Sequence, residues 1–348
     1  MDVVLEFFDT YVFDRAFATF APIGHAYSVF EPISTLAAGL KQYGAENESW
    51  AHAGQTIAGD VAQNGWTWTP ASQFVSFPPS QYAYQSSMDR DNIWRQAISL
   101  YFLTWFSATA IYFLCATLSY VFVFDKTTFN HPKYLKNQIR MEIRQTLESI
   151  PIMTIFTVPF FVAEVRGHGF MYDTISTAPF NHFLFNIFGS AYNWIQFPFF
   201  LMFTDFFIYW IHRGLHHPLV YKRLHKPHHK WIMPTPYASH AFHPLDGYSQ
   251  IMIHDGEYVA NSPVINGAAC HTMHHLYFNY NYGQFTTLWD RIGGSYRQPN
   301  EELFKKESKM AAAEWNRQVV EMEKMVKEVE GKDDRTYGPP DAVAKKVQ

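Results

Sequence analysis

The sequence is poor in cysteine and in charged residues. Two cysteines in 348 residues are too few for a disulfide framework, and a charged fraction of 17% lies below the quarter or so that is usual in soluble domains. The net charge of -4 gives no sign of nucleic-acid binding. The sequence also lacks a Gly-x-Gly-x-x-Gly fingerprint, a haem-attachment motif and a recognisable cleavable signal peptide. It therefore gives no support for a disulfide-rich, DNA-binding or nucleotide-binding protein.

The sequence is instead rich in aromatic residues and contains long apolar runs. Aromatic residues make up 18% of the chain, which suits the interfacial belts of a membrane protein. Ile98–Phe124 is free of charge and long enough to cross a bilayer as a helix. Ile150–Ala163 is a second apolar segment, short for a span, so that a re-entrant segment is the alternative. Tyr192–Ile211 is a third, apolar except for Asp205. We predict an all-α fold of polytopic membrane helices with a cytosolic helical cap.

Basic residues predict how these helices are oriented. Five of them lie between the first two apolar segments, which places that loop in the cytosol: Lys126, Lys133, Lys136, Arg140 and Arg144. The chain after Ile211 is then cytosolic as well, and the N-terminus is lumenal, where Asn47 in Asn-Glu-Ser is a glycosylation acceptor. Lys345 and Lys346 resemble the dilysine retrieval signal of endoplasmic reticulum membrane proteins.

Changes in composition divide the chain into four predicted regions. Residues 1–95 show little periodicity and are expected to form a partly ordered lumenal region. Residues 96–211 hold the transmembrane helices, and residues 212–300 form a cytosolic region rich in histidine. Residues 301–348 are rich in Glu, Lys, Met and Ala, and predict a charged helix that ends near Gly331 and is followed by a loose tail.

Histidine is unusually frequent, with 17 residues, and most of it falls in three motifs. The first motif has the pattern H-x-x-x-H-H, and its spacing of four places two imidazoles on one helical face. Pro218 is expected to end that helix, and Pro227 to start the next one. The second and third motifs both read H-x-x-H-H. The members are His212, His216 and His217, then His225, His228 and His229, then His271, His274 and His275.

Nine clustered imidazoles exceed what one tetrahedral ion needs, so two metal ions are the economical interpretation. Neutral imidazole suits iron, zinc, copper and nickel. A histidine-rich storage tract is the alternative, but the motifs are separated and interleaved with Trp, Pro and Tyr, unlike a low-complexity segment.

Four further residues are candidates for this site. Asp205 lies seven residues before His212, two helical turns away on the same face, where its carboxylate can accept an N–H from a ligand imidazole. We predict catalytic roles for Asp205, His240 and His243, and a metal-ligand role for His254.

The sequence around the motifs resembles one family closely. The resemblance covers roughly residues 90–300. Over this range the chain is similar to the Δ7-sterol C-5 desaturases of the fatty acid hydroxylase and sterol desaturase superfamily. Among these, the fungal enzymes of ergosterol synthesis are the most similar. The segments that carry the resemblance are 204–218, 224–231, 239–244, 266–284 and 289–291.

The resemblance implies an activity and its cofactors. It implies that the protein oxidises a Δ7-sterol to a 5,7-diene in the endoplasmic reticulum membrane, with O₂ and with electrons from NAD(P)H through cytochrome b5 and its reductase. It also implies that the nine clustered histidines bind two iron ions, and that membrane lipid surrounds the apolar helices. No nucleic-acid partner is expected.

The chain departs from the family pattern at one place. Family members carry a further apolar hairpin after the segment matching Asp246–Gln250, whereas here Gln250 runs almost directly into Ile253–Glu257. We therefore expect a chain that lacks one membrane hairpin. Two alternatives remain open at this point. One is a sterol or fatty-acyl hydroxylase with the same motifs, and the other is a non-catalytic metal-binding relative.

Overall fold

The computed structural model describes residues 1–23, 67–169, 187–249, 263–299 and 312–337. These parts of the chain are helical and contain isolated β-bridges but no strand, as the all-α prediction requires. The α-helices are α1 (Asp2–Phe8), α2 (Asp14–Phe20), α3 (Ile93–Phe122), α4 (Gln138–Ala163), α5 (Tyr192–Leu215), α6 (Pro218–Leu224), α7 (Lys226–His229), α8 (Pro244–Ser249), α9 (Ala268–Tyr277), α10 (Leu288–Ile292) and α11 (Ala312–Val329). Short 3₁₀ helices cover Ala83–Gln85, Lys126–Asn130, Gly189–Ala191 and Pro236–His240, and π-helical turns cover Asp9–Phe13 and Glu164–His168.

Three helices are long and apolar enough to cross a membrane, which confirms the membrane character of the fold. They are Ile93–Phe122, Tyr192–Leu215 and the 31-residue helix Gln138–His168, in which a π-helical turn prolongs α4. This middle helix is about 46 Å long at 1.5 Å per residue, so a re-entrant segment is not needed. The apolar segment looked short in the sequence because polar turns precede it within the same helix.

The chain divides into two compact units, of which the first comprises residues 1–104 and 155–182. In this unit a buried ion network ties α2 to the start of α3. The carboxylate of Asp14 is fully buried and lies 2.6 Å from the guanidinium groups of both Arg90 and Arg95. A buried carboxylate needs such partners, because desolvation penalises an unpaired charge. The weak periodicity of residues 1–95 gave no sign of α1 and α2.

The second unit comprises residues 105–154 and 183–348 and contains all the histidine motifs that the structure describes. Its main core joins the loop between α3 and α4 to the helices beyond α5. Phe129 from that loop packs in the same buried cluster as Tyr221 of α6, Met273 of α9 and Met322 of α11. The loop after the first span therefore lies on the same side as the histidine region, as two crossings, by α4 and α5, require.

The C-terminal segment is more ordered than the sequence suggested. The helix α11 ends at Val329, and Gly331 takes a positive φ of 84°, which confirms the predicted end of the helix. The expectation of a loose tail is wrong for residues 330–337. Glu330 and Arg335 form a buried ion pair at 2.7 Å, and Tyr221 donates a hydrogen bond to the same carboxylate at 3.0 Å. The ion pair orders the tail, and the hydrogen bond from Tyr221 holds it against α6.

Four predicted features lie outside the described residues. They are the ligand His254, the glycosylation acceptor Asn47, and the dilysine pair Lys345 and Lys346.

Candidate metal centre

The first histidine motif lies at the end of a membrane-spanning helix. The helix α5 continues without a break from the apolar segment through His212 to Leu215, as the sequence predicted. His212 and His216 lie one turn apart on one face, with ring centroids 5.4 Å apart. His217 departs from helical geometry and its Nδ1 accepts the backbone N–H of Leu219 at 3.4 Å. Pro218 follows as the first residue of α6, so His217 is the N-cap of that helix.

The second and third motifs each divide their histidines between two groups. His225, the N-cap of α7, and His229 at its end are four residues apart and meet through their Nε2 atoms at 3.1 Å, whereas His228 belongs to another group. In α9 His271 and His275 meet in the same way at 3.0 Å. The sequence placed all three members of a motif on one face. The structure instead separates the i, i+4 pair from the residue between, because a step of one residue turns a helix by about 100°.

Two histidine groups result, each with ligand atoms that lie within 4.8 Å of one another. We call them the five-histidine group and the three-histidine group. The five-histidine group takes members from all three motifs, and the three-histidine group from the last two. The members are His212, His216, His225, His229 and His274 for the first, and His228, His271 and His275 for the second.

Hydrogen bonds fix the ring tautomers in the five-histidine group. Nδ1 of His212 lies 2.9 Å from the carbonyl oxygen of Tyr282, and Nδ1 of His274 lies 2.7 Å from that of Tyr280. A carbonyl oxygen only accepts, so both Nδ1 atoms carry the proton and donate. Nδ1 of His225 donates to the buried carboxylate of Asp246 at 2.8 Å. In the neutral form of each of these three rings, Nε2 therefore carries the lone pair.

These lone pairs converge at the spacing of metal ligands. Nε2 of His229 lies 3.0 Å from Nε2 of His274 and 3.2 Å from that of His216. Imidazole ligands about 2.0–2.1 Å from one ion are separated by roughly 3.0–3.4 Å at octahedral or tetrahedral angles. One ring proton cannot satisfy several lone pairs at this distance, whereas a cation at their centre satisfies all of them. The donor set therefore fits a transition-metal ion.

Burial keeps the rings in the state that binds metal. Desolvation by burial and the neighbouring imidazoles lower the pKa of His216, His229 and His271 well below its usual range. Burial also lowers the pKa of His274 to about 3. These four imidazoles are therefore neutral at physiological pH, and neutral imidazole is the form that ligates metal.

Two buried carboxylates brace the loop that supplies the carbonyl acceptors. Asp290 accepts the backbone N–H groups of Tyr282 and Gly283, both at 2.8 Å. Asp205 accepts the next three, from Gln284, Phe285 and Thr286, at 2.8–3.1 Å, and also the Thr286 hydroxyl. Five consecutive amides thus bind two carboxylates. This bracing fixes the carbonyl of Tyr282 that orients His212.

Gly283 is required in this loop by its close approach to neighbouring atoms. A Cβ at this position would lie 2.6 Å from the carbonyl oxygen of Thr286 and 2.8 Å from the carboxylate of Asp290. The absence of a side chain therefore lets the loop backbone reach its acceptor.

The remaining candidates lie outside both groups. His217 is exposed, and His243 accepts the N–H of Leu245 at 3.3 Å at the start of α8. His240 is half-buried, with its ring centroid 5.7 Å from that of Tyr112. The prediction that Asp205 accepts an N–H from a ligand imidazole is wrong, because the loop amides occupy both of its oxygens.

Sequence reasoning missed the partners that orient the ligands. Asp246 follows His225 by 21 residues and approaches it only through the fold, so no spacing rule predicts the pair. The carbonyl groups of Tyr280 and Tyr282 belong to the backbone, so no residue type in the sequence identifies them as acceptors. Asp290 was visible only as a residue next to Arg291.

Replacing Asp246 with asparagine is expected to weaken metal binding by about 10- to 100-fold, the usual cost of losing the carboxylate partner of a ligand histidine. Metal content after dialysis against graded chelator concentrations measures this. The matched control is Asp334→Asn, a change of the same chemistry at an exposed aspartate outside both groups. Equal retention of metal by both variants would show that Asp246 does not orient His225.

Comparison with known proteins gives the family. The fatty acid hydroxylase family model matches residues 197–253. The chain is 52% identical to a Delta(7)-sterol 5(6)-desaturase of Aspergillus fumigatus over 97% of each chain. It is 51% identical to one of Leptosphaeria maculans over 100% of each chain, and 41% identical to one of Candida albicans over 97% of this chain and 99% of the relative. No solved structure matches the chain significantly.

The alignments also show a difference in length. The alignment with the Leptosphaeria maculans protein extends over 378 positions and includes all 348 residues of this chain, so about 30 positions have no counterpart here. The expected loss of a hairpin after Gln250 stays a prediction, because the alignment length does not locate these positions. High identity over nearly the whole of each chain confirms the resemblance seen in the motifs, and the chain belongs to the Delta(7)-sterol 5(6)-desaturase family.

Proposed function

We propose that this protein is a membrane-bound, O₂-dependent oxidoreductase that introduces the C5=C6 double bond into Δ7-sterols during ergosterol synthesis. One observation carries the proposal. Eight histidines from three separated motifs converge in two groups, in a chain of this desaturase family. An enzyme that acts on unactivated C–H bonds needs a strong oxidant made from O₂, and the histidine groups are where such chemistry would occur.

The two groups are suited to hold two iron ions. The five-histidine group would bind one, and the three-histidine group the other, with His254 as a proposed additional ligand. Imidazole binds several transition metals, but zinc has no redox chemistry and is therefore unsuited to activating O₂. When bound, iron supplies the electron-transfer chemistry that O₂ reduction requires. The chain's own residues orient the imidazoles and keep them neutral.

The sterol is proposed to approach from the bilayer along α5. Phe199, Phe203 and Phe207 are spaced four residues apart on one face of this helix and are 45–65% exposed. Neighbouring rings along this row are 5.9 and 4.7 Å apart. The row ends five residues before His212 in the same helix. An apolar substrate that follows it is therefore brought to the end of the helix that carries the first histidine motif, although His212 itself lies on another face.

The electron balance requires an external donor. Removing one hydrogen each from C5 and C6 supplies two electrons and two protons. Reducing O₂ to two waters consumes four of each, so two further electrons must enter. We assign them to NAD(P)H through cytochrome b5 and its reductase, because the sequence has no nucleotide fingerprint or haem-attachment motif.

The proposed location is the endoplasmic reticulum membrane, with the histidine motifs and the C-terminus in the cytosol. Basic residues in the loop between α3 and α4 support this orientation through the positive-inside rule.

Expression in cells that lack their own C-5 desaturase tests the proposal. We expect the wild-type chain to produce a conjugated 5,7-diene, detected by its ultraviolet absorbance, and to require O₂ and iron. The His274→Ala variant should produce none, because it removes a member of the five-histidine group.

Other products would identify the alternatives. A hydroxylated sterol or fatty acid in place of the diene would show a hydroxylase. Absence of any oxidised product, with metal-loaded protein in the membrane, would show a non-catalytic relative. The deficit of about 30 positions relative to the Leptosphaeria maculans protein is the observation that favours this second candidate.

A further inference from the structure

A basic cavity of about 610 Å³ lies beside the second histidine motif. Four separate parts of the second unit line it: the start of α4 with the residues before it, α6, the second motif, and the C-terminal tail. Its charged lining consists of five cations and one carboxylate, namely Lys136, Lys222, Lys226, Lys230, Arg335 and Asp334.

Part of this positive charge is compensated and part is not. Lys226 pairs with Asp334 at 3.0 Å, and Arg335 pairs with Glu330 at 2.7 Å. Lys136 and Lys222 are exposed and, within the described ranges of the chain, form no salt bridge. The cavity therefore presents free positive charge at its exposed edge, where charge attracts an anionic partner over about a Debye length of 8 Å at physiological salt.

The wall of the cavity is also the scaffold of the metal centre. Lys226 and Pro227 line the cavity and lie between His225 and His228 in the chain. Arg335, on the same wall, donates a hydrogen bond at 3.0 Å to the carbonyl oxygen of His229. A partner bound over the cavity would therefore contact the segment that carries His225, His228 and His229, which belong to both histidine groups.

We propose that this cavity is the docking site of an acidic one-electron carrier protein. The proposal rests on the proposed function, which needs electrons from outside the chain. A carrier must come close to the metal centre, and this cavity combines uncompensated positive charge with a wall built from ligand-bearing chain. Electron-transfer partners commonly associate through small, charge-steered interfaces. An anionic membrane surface is the competing occupant, and the test separates the two.

Charge reversal at the exposed edge tests the docking site. The Lys136→Glu/Lys222→Glu chain and wild type are reconstituted in nanodiscs of zwitterionic lipid, with the soluble domain of cytochrome b5 as the probe. We expect the Kd and the KM for this carrier to rise about 10-fold in the variant, with weaker dependence on salt. The kcat at saturating carrier and the metal content should stay unchanged. The matched control, Lys324→Glu/Lys327→Glu, reverses two exposed lysines of α11 outside the cavity and should bind as wild type.

Each other outcome has a defined meaning. Equal carrier binding by the cavity variant, the control and wild type would overturn the proposal. The proposal would also be overturned if the cavity variant changed only how activity depends on added phosphatidylserine. That result would assign the cavity to lipid binding. Carrier binding that needs the cavity, without any diene, would refute the proposed function and leave the docking site standing. Diene production together with carrier binding that does not need the cavity would support the proposed function and refute the docking site.

Discussion

Replacing His216 with alanine is expected to lower activity by more than about 100-fold, whereas replacing its neighbour His217 leaves most of it. Nε2 of His216 lies 3.2 Å from Nε2 of both His229 and His274, within the five-histidine group. The alanine removes one of the proposed metal ligands, a greater loss than that of an outer partner, which already costs about 10- to 100-fold. His217 is exposed and only caps α6, so its loss should cost about 1 kcal/mol of stability or less.

Iron content and 5,7-diene production, measured on both purified variants, check this pair. We expect less than the full iron content and no detectable diene for His216→Ala, and near-normal values for His217→Ala. The two residues belong to one motif and were both predicted ligands. The comparison therefore tests whether a histidine's position in the structure, rather than its membership of the motif, decides if it binds metal. Loss of iron from the His217 variant would show that the exposed position in the structure is not the functional one.

Replacing Asp205 with alanine is expected to destabilise the protein by at least about 3 kcal/mol and to reduce metal retention. The alanine leaves three backbone N–H groups and one hydroxyl without their charged acceptor, and each unsatisfied buried donor costs about 1–3 kcal/mol. The loop then loses the bracing that positions the Tyr282 carbonyl against His212.

Thermal unfolding and iron retention of Asp205→Ala and Asp205→Asn distinguish a positioning role from a chemical one. Asparagine keeps one acceptor oxygen and the side-chain volume, so we expect an intermediate loss in both measurements. If the asparagine variant keeps its stability and iron but loses diene production, Asp205 acts directly on the reaction and the bracing role is wrong.

The sequence predicted the features of this molecule that depend on a single segment of the chain. Runs such as Ile98–Phe124 predicted membrane helices because length and apolarity are properties of one segment. The continuation of α5 into the first motif was also predictable, since no proline lies between Pro198 and Leu215. The motif spacing predicted that His212 and His216 share a face. Each of these inferences needed only the geometry of one helix.

What could not be predicted depends on contacts between distant segments. The sorting of histidines into two groups requires the mutual orientation of α5, α7 and α9, which no spacing contains. Asp205 was identified as important, yet its partners are amides some 80 residues later. The buried pair of Glu330 and Arg335 appeared in the sequence as part of a charged tail, because composition does not reveal which charges are desolvated.

The division of α7 and α9 between both histidine groups has a consequence for how the centre fills. The segment His225–His229 gives His225 and His229 to one group and His228 to the other, and α9 gives His274 to one and His271 and His275 to the other. An ion bound in either group would hold both segments, so part of the ordering needed for the neighbouring ion would already be complete. By linkage the effect is reciprocal, so we expect uptake of two ions to be cooperative. A population of chains short of iron should divide into fully loaded and empty molecules, with few that carry a single ion.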